Sequence, residues 1–480
     1  MGGSFANMEL SKQKDFFGKK IHIIGMARSG LAAAEVLRAL GAITIIHDEK
    51  NAPQLEDALD KVRKLGLDAR TGEYAYRDIE TADAVVASPG VPSTCPGVVK
   101  AEEHGLLIMS EVELAYRICP APIIAVTGTN GKTTTTALVG DILRAAGKQV
   151  VVAGNIIAGD IRLPLSRAAF RATRSDVIVA EISSFQLERV SSFRPKVAAL
   201  LNISADHLDR HSDMAGYAGT KARIFEFQTP EDCAILNADD PGVMEFGPSI
   251  KSRIWQFSRK GEVELGTFVK GTEIWSRTPD GEQFVCDTAS MKLRGSHNVE
   301  NIMAGAAIIL AFGADAKFVQ SPVDAFEALE HRLEPVTVIG GVEFLNNSMC
   351  TNMLAAIRSL EAIGKSAIVI AGGKGKGRNN AEVYLPLAEA FKKHAKHVVI
   401  IGDDAPLIDE ASRKVGFVKI SHAYSMEDAV EIAWQHAKSG DTIVLSPGCA
   451  SFDMFKNFEH RGQVFKAAVK SLAERVGARG

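Results

Sequence analysis

The residues with the clearest chemical purpose lie in AVTGTNGKTTTT (125–136). There Gly128, Thr129, Asn130, Gly131, Lys132, Thr133 and Thr134 separate an apolar segment from a helical one, TTALVGDILRAAG. A loop of this composition can turn its backbone N–H groups toward phosphate oxygens, and the helix N-terminus behind it adds partial positive charge. Lys132 can bridge the β- and γ-phosphates of a nucleoside triphosphate, and Thr133 can ligate Mg2+. The strict phosphate-loop pattern has a glycine five residues before Gly131; Val126 stands there, and the glycine is shifted to position 128.

Acids and nitrogen ligands follow downstream. Glu181, in VAEISSFQLE, ends an apolar run, where a carboxylate can hold the Mg2+ of a phosphate loop or simply sit at a helix start. LNISADHLDRH (201–211) offers Asp206, His207, Asp209 and His211. His207 can ligate a metal through neutral imidazole, while the same cluster also suits a solvated cap. Lys221, in YAGTKARIF, has the spacing of a surface lysine. Near the N-terminus, Gly25, Ala27 and Gly30 form GxAxxG, one glycine short of the dinucleotide fingerprint, and Asp48 ends the next apolar run. A ribose-binding acid would stand there; an NAD site and a purely structural turn both remain open.

These groups need elements to position them. Apolar runs recur at 21–25, 42–48, 82–90, 122–128, 176–183, 197–204, 233–240, 366–373, 397–404 and 441–448, most of them closing on Gly, Asp or Ser. Such runs, apolar on both faces and alternating with helical stretches, predict buried parallel strands of α/β domains with function at their carboxyl ends. Residues 250–294 are rich in charge, Gly and aromatics, and predict an antiparallel excursion. The apolar stretch 302–312 is too short to span a bilayer and predicts a buried helix. Chain joints are expected near Pro120 and Pro122 and again between His331 and Pro335.

A chain of 480 residues suggests about three domains. Its formal net charge of -3 provides no global field for nucleic acid or membrane, so neither is expected as a partner. The six cysteines are scattered without a CxxC pair, which fits a reducing cytosol rather than a disulfide framework. The first twenty residues lack a signal-peptide core, and a cytoplasmic location is expected.

Taken in order, GxAxxG, SPGV (88–91), TGTNGKTT (127–134), GN (154–155), EISSFQLE (181–188), LNISADHLDRH, YxxxK (217–221), GSHNxxN (295–301), HR (331–332) and SPGCASFDMFKNFEHRG (446–462) resemble the Mur ligases across nearly the whole chain. SSFQLE and SFDMFKNFEHRG are similar to the branch that adds D-glutamate. The resemblance implies an ATP-dependent ligase of peptidoglycan precursor synthesis, acting on UDP-N-acetylmuramoyl-L-alanine through an acyl phosphate and expected as a monomer. It implies three domains: a Rossmann-like domain over 1–118 for the UDP-linked substrate, a central ATP-binding domain over 119–331 with a mainly parallel sheet, and a Rossmann-like domain over 332–480 for the amino acid.

The resemblance also distributes roles. Arg28, Ser29, Asp48, Gly90 and Asn155 would contact the UDP-linked substrate. The phosphate loop with Asn298, Asn301 and Arg332 would hold ATP. Thr133 and Glu181 would take a first Mg2+, and His207 with a carbamylated Lys221 a second. Thr351, Lys376, Ser451 and Phe458 would form the amino-acid pocket. No nicotinamide is expected, since hydride transfer has no need of a phosphate loop.

One motif departs. The family usually shows Asn-Asp-Ser-Lys-Ala-Thr-Asn where this chain reads Asn346-Asn347-Ser348-Met349-Cys350-Thr351-Asn352, and Lys374 stands where an acid is common. A positive charge has gone at 349 and one has appeared at 374. Relocation of the cation within one site is the reading favoured over a changed substrate. The departure keeps open a ligase for another amino acid, such as L-glutamate, or for another carboxylate. A nucleotide-binding relative without catalysis and an NAD oxidoreductase built on 21–48 are the readings from other classes.

Overall fold

Runs of Ile, Val and Ala with no polar face are stable only as strands covered on both sides, and the computed structural model places them so. It describes residues 15–157, 161–206, 210–211, 213–364, 366–375 and 380–477. His207 and Lys376 lie outside the described residues. The chain divides into two compact units: one comprises the residues up to Ile203 with Ala215–Asp287 and Asn301–Pro322, the other Ser204–Met214, Thr288–Glu300 and Val323–Gly480.

The first unit holds two sheets. β1 (Lys20–Ile24), β2 (Ile43–Asp48), β3 (Asp68–Thr71), β4 (Ala84–Ala87) and β5 (Leu107–Ser110) form a parallel sheet in the order β3-β2-β1-β4-β5. The strand order reverses at β1, which opens a crevice at the carboxyl ends of β1 and β4. The second sheet has nine strands: β6 (Ile123–Thr127), β7 (Gln149–Gly154), β8 (Asp176–Glu181), β9 (Val197–Leu200), β10 (Cys233–Asn237), β11 (Arg253–Ser258), β12 (Gly266–Lys270), β13 (Glu273–Thr278) and β14 (Gly281–Asp287). Their order is β14-β13-β12-β11-β10-β9-β6-β8-β7.

The antiparallel excursion expected over 250–294 is shorter than predicted. β11 pairs parallel with β10, β12 pairs parallel with β11, and only the β12–β13 and β13–β14 pairs are antiparallel. The IWQF core of β11 alternates toward one covered face, which suits an internal strand between β10 and β12 better than a free hairpin.

The two sheets of this unit share one apolar core, and a buried carboxylate joins them. Glu113, in the helix Glu111–Ile118 that follows β5, accepts hydrogen bonds from the backbone N–H groups of Ser191, Ser192 and Phe193 at 2.9, 3.0 and 3.0 Å. Arg117 adds an ion pair at 2.8 Å. Burial pushes the Glu113 carboxyl up, but the hydroxyl of Ser192, these amides and Arg117 outweigh it and hold the group below the usual range.

The second unit carries the third sheet: β15 (Glu334–Ile339), β16 (Val342–Asn346), β17 (Ala367–Gly372), β18 (Ala395–Ile401), β19 (Ile420–His422) and β20 (Thr442–Leu445), ordered β15-β16-β20-β17-β18-β19. Only the β15–β16 pair is antiparallel. Apolar clusters lie on both faces of this sheet. All but the last residue of the stretch 302–312 lies in a helix, Ser296–Ala311, whose residues 302–304 and 306–309 are buried. All six cysteines are buried and unbridged. Among the described residues no helix is long and apolar enough to cross a membrane.

Candidate active site

The phosphate-type loop leaves the carboxyl end of β6 and enters the helix Lys132–Ala145. Two of its glycines are required by geometry. Gly128 and Gly131 have φ of 152° and 85°, and a Cβ on Gly131 would meet Oδ1 of Asn301 at 2.3 Å. Asn202, two residues past the end of neighbouring β9, clamps the loop. Its carbonyl accepts from Thr129 N–H at 2.9 Å, its Oδ1 from Asn130 N–H at 2.8 Å, and its Nδ2 donates to Asn130 O at 3.1 Å. The role of Asn202 is not evident from its residue type; its position just past an apolar run, LLNIS, beside the loop is the signal for it.

Two lysines converge on this loop. Lys132 Nζ donates to the carbonyls of Gly128 and Thr129, both at 2.9 Å. Lys221, which spacing alone would leave at the surface, is 2% exposed and donates to the same Gly128 carbonyl at 2.8 Å. Its ammonium also lies over the ring of Tyr217, 4.6 Å from the centroid. Tyr217 in turn shares a hydrogen bond of 3.3 Å with the Thr129 hydroxyl.

The carboxylate expected beside the loop is in place. β8 pairs with β6 in a register that sets Glu181 opposite Val126. The Thr133 hydroxyl donates to Glu181 Oε2 at 2.7 Å, and Asn155 Nδ2 donates to Oε1 at 3.0 Å. Thr133 and Glu181 are both about 1% exposed. Adjacent hydroxyl and carboxylate oxygens at a helix N-terminus fit a hard divalent cation such as Mg2+. Asn155 therefore touches Glu181, whereas Asn301 faces Gly131 and the Thr135 hydroxyl, 3.4 Å away.

A second cluster lies at the carboxyl ends of β1, β2 and β4. Gly25 turns with φ of 98° and donates to His47 O at 2.7 Å. A Cβ on Gly30 would stand 1.9 Å from Gly25 O, so helix and loop can touch only with glycine there. Asp48 does not point away from this loop: its Oδ2 accepts from Met26 N–H at 2.9 Å and its Oδ1 from Lys50 N–H at 3.1 Å. Arg28 and Gly90 are exposed and Ser29 is half-buried, at positions a ligand in the crevice can reach.

In the second unit, Asp206, His211 and Asn298 are buried, and Asn298 Nδ2 donates to Arg294 O at 2.7 Å. His331 and Leu333 hold left-handed φ of 65° and 47° on either side of Arg332. The altered motif supports this strained turn. Asn347 Oδ1 accepts from Leu333 N–H at 3.2 Å, Met349 N–H donates to His331 O at 3.1 Å, and Asn346 Nδ2 lies 2.8 Å from His331 Nδ1. Burial lowers the His331 pKa, the nearby Glu330 and Glu334 only partly opposing it. Ser451 is buried, Thr351 half-buried, and the carbonyl of Phe458 accepts from the Ser348 hydroxyl at 2.7 Å. Lys374 is exposed, its backbone bridged to Ala450.

Arg461, which had no assigned role, ties these loops. It is 1% exposed and donates to Ser348 O at 2.7 Å, the Ser348 hydroxyl at 3.1 Å and Cys449 O at 3.1 Å. Burial brings its pKa down to about 10, so it stays charged near neutrality.

Comparison with known proteins accords with this geometry. Three family models match in succession: the Mur ligase MurD-like N-terminal domain over residues 19–110, the Mur ligase middle domain over 126–309, and the Mur ligase glutamate ligase domain over 331–449. The chain is 41% identical over 460 residues to UDP-N-acetylmuramoylalanine--D-glutamate ligase of Koribacter versatilis, covering 96% of this chain and 99% of the relative. It is 43% identical over 459 residues to the ligase of the same name from Pelotomaculum thermopropionicum, with 96% and 99% covered. Among solved structures, MurF from Acinetobacter baumannii superposes with a TM-score of 0.62 at 17% identity, over 97% of this chain and 98% of that one. MurC from Thermotoga maritima gives 0.61 at 18% identity, over 95% and 100%. At such identities the solved structures speak for the fold alone.

Proposed function

The chain belongs to the Mur ligase family, and from that premise we infer an ATP-dependent acid–amino-acid ligase that adds D-glutamate to UDP-N-acetylmuramoyl-L-alanine in peptidoglycan synthesis. One observation carries the reading. Near-full-length similarity to ligases of that name coincides with a phosphate loop whose lysine, hydroxyl and acid partner are all in place.

A free carboxylate is a poor acylating agent, because its leaving group would be oxide. In the proposed path a carboxylate oxygen of the precursor attacks the γ-phosphorus of ATP. An O–P bond forms, the bond to the β,γ-bridging oxygen breaks, and ADP leaves. The amine of D-glutamate then attacks the acyl carbon. The C–N bond forms, the C–O bond to phosphate breaks, and the amine gives up a proton. Loop N–H groups and Lys132 would orient the γ-phosphoryl group and neutralise its charge. Asn202 holds those N–H groups in place by fixing the loop on both sides of Asn130.

Thr133 and Glu181 would hold Mg2+, which supplies charge neutralisation on the transferring phosphoryl group. Asn155 orients Glu181 for that task. A second Mg2+ site, with His207 and a carbamylated Lys221, is part of the same proposal. What supports the carbamate is that Lys132 and Lys221 both direct an ammonium at Gly128 O. Two cations so close repel; a carbamate on Lys221 replaces repulsion with attraction. Asn298, Asn301 and Arg332 are assigned to the nucleotide. Arg28, Ser29, Asp48, Gly90 and Asn155 go to the UDP-linked precursor, and Thr351, Lys376, Ser451 and Phe458 to D-glutamate. Domain limits of 1–118, 119–331 and 332–480 and a cytoplasmic monomer complete the proposal.

The changed 346–352 motif motivates one alternative, a different amino acid. Asn347 keeps an acceptor on Leu333 N–H, which favours local compensation. Phosphate release from Mg·ATP with the precursor and D-glutamate, L-glutamate or no amino acid decides between them. Release that requires D-glutamate supports the proposal. Release with L-glutamate instead makes the motif a specificity change, and no release with either refutes ligase activity on this precursor.

A further inference from the structure

We propose that His22, His47 and Asp78 form a binding site for one divalent transition-metal ion of the zinc class, on the face of the first sheet away from the phosphate loop's unit core. Among the described residues this is the one group of three His, Cys, Asp or Glu side chains whose ligand atoms all lie within 4.8 Å of one another. It plays no part in the ligase reading above.

The topology builds it. In the parallel register of β1 and β2, His22 is opposite Ile45 and Ile24 opposite His47, so the two imidazoles share one face of the sheet as diagonal neighbours. Their ring centroids are 4.7 Å apart. Both side chains are 0% exposed, in strands whose other buried residues are isoleucines and Thr44. Asp78 arrives from the turn before the short helix Ile79–Thr81.

The hydrogen-bond inventory points to a ligand. His47 Nδ1 lies 2.6 Å from Ala75 O, an arrangement in which Nδ1 carries the proton and Nε2 presents a lone pair. Nε2 of His47, both ring nitrogens of His22 and Oδ1 of Asp78 are buried without a hydrogen-bond partner. Unpaired buried polar atoms are costly, and three of these, one from each residue, can face one point. Burial, helped by Lys20 and Arg70 and at His22 also by His47, lowers both imidazole pKa values against the opposing Asp78 and, at His47, the Ala75 carbonyl, and so favours the neutral form that ligates metal.

Two imidazoles and a carboxylate suit Zn2+, Co2+ or Ni2+ better than Mg2+ or Ca2+, which demand oxygen shells. Three protein ligands leave at least one position for water or the second Asp78 oxygen. Arg70, whose Nε is 3.8 Å from Asp78 Oδ2, and Lys20 oppose the added charge, so the affinity is expected to be moderate rather than extreme. The ion would brace β1, β2 and the 72–79 turn directly behind Gly25, whose N–H is held by His47 O.

The test is a titration of the full chain, freed of metal by chelator, with Zn2+ and Co2+ in excess Mg2+ so that the oxygen site at Thr133 and Glu181 is filled. The proposal expects one equivalent bound, a Co2+ visible spectrum of low coordination number, and a melting temperature raised by about 5 °C at large excess of Zn2+. His22→Gln and Asp78→Asn should each weaken binding at least ~10-fold and abolish the thermal shift. Asp78 is only half-buried, so its variant keeps the question answerable if His22→Gln fails to fold. No binding beyond what Mg2+ displaces, or one equivalent that persists undiminished in Asp78→Asn, overturns the site.

Discussion

Replacing Glu113, itself buried, by alanine removes the acceptor for the backbone N–H groups of Ser191, Ser192 and Phe193, of which Phe193 is buried and Ser192 half-buried, and for the Ser191 and Ser192 hydroxyls and Arg117. A buried donor left unpaired costs roughly 1–3 kcal/mol. The hydroxyls can rotate to other partners and water can enter the space, so the three amides set the scale. The expected loss is about 3–5 kcal/mol, in the range for breaking a buried charged network. For a unit of this size, that lowers the melting temperature by roughly 5–15 °C. Glu113→Gln keeps one acceptor oxygen but turns an NH2 toward amide donors, and should fall between. Scanning calorimetry of the three proteins near pH 7, without ligands, makes the comparison. An alanine variant within about 1 kcal/mol of the parent would refute the view that this carboxylate joins the first two sheets. The sign with pH follows from the depressed pKa. The contribution is complete above the ordinary carboxylate range and is lost as pH falls through the lower folded value.

Other predictions concern catalysis and pH. Lys132→Ala should keep the fold and lower turnover by at least ~10²-fold; near-normal phosphate release would contradict the assigned role. Lys221→Ala should lose activity that short carboxylates partly restore, and no restoration at any concentration would count against the carbamate. In the second unit, His397 is 8% exposed, stacked on His436 at 3.7 Å, with its pKa lowered to about 4 by burial first and then by His436 and Lys419. The unfolded chain takes up a proton below about pH 6.5 that the native His397 refuses, so stability should fall between pH 6.5 and 4 by roughly 1–3 kcal/mol from this group. His397→Asn should flatten that part of the pH dependence of urea unfolding; an unchanged slope would rule the group out.

The strands that the sequence made plain are those apolar on both faces, such as β6 and β17, because burial on two sides leaves no polar alternation to confuse them. β3, β15 and β19, with exposed or half-buried residues along most of their length, carry no such signature, and β7 was overlooked although half of it is buried. The phosphate loop was legible because its glycines are forced by positive φ and close approach, which no other residue satisfies. Lys221 was not legible from spacing: a lysine on a short helix with little apolar patterning looks solvated, and only the packing of Tyr217 and Gly128 O around it shows otherwise. Arg461 and Glu113 escaped for a related reason. Their partners are backbone groups distant in sequence, and a backbone amide leaves no residue-type trace.

The central claim is that a phosphoryl group activates the precursor carboxylate before the amine attacks. UDP-N-acetylmuramoyl-L-alanine labelled with 18O in its carboxylate, incubated with the enzyme, Mg·ATP and D-glutamate, tests it by mass analysis of the inorganic phosphate. One labelled oxygen carried into each phosphate is predicted, because the C–O bond to phosphate breaks when the amide forms. Unlabelled phosphate accompanying labelled amide product would contradict the acyl-phosphate account.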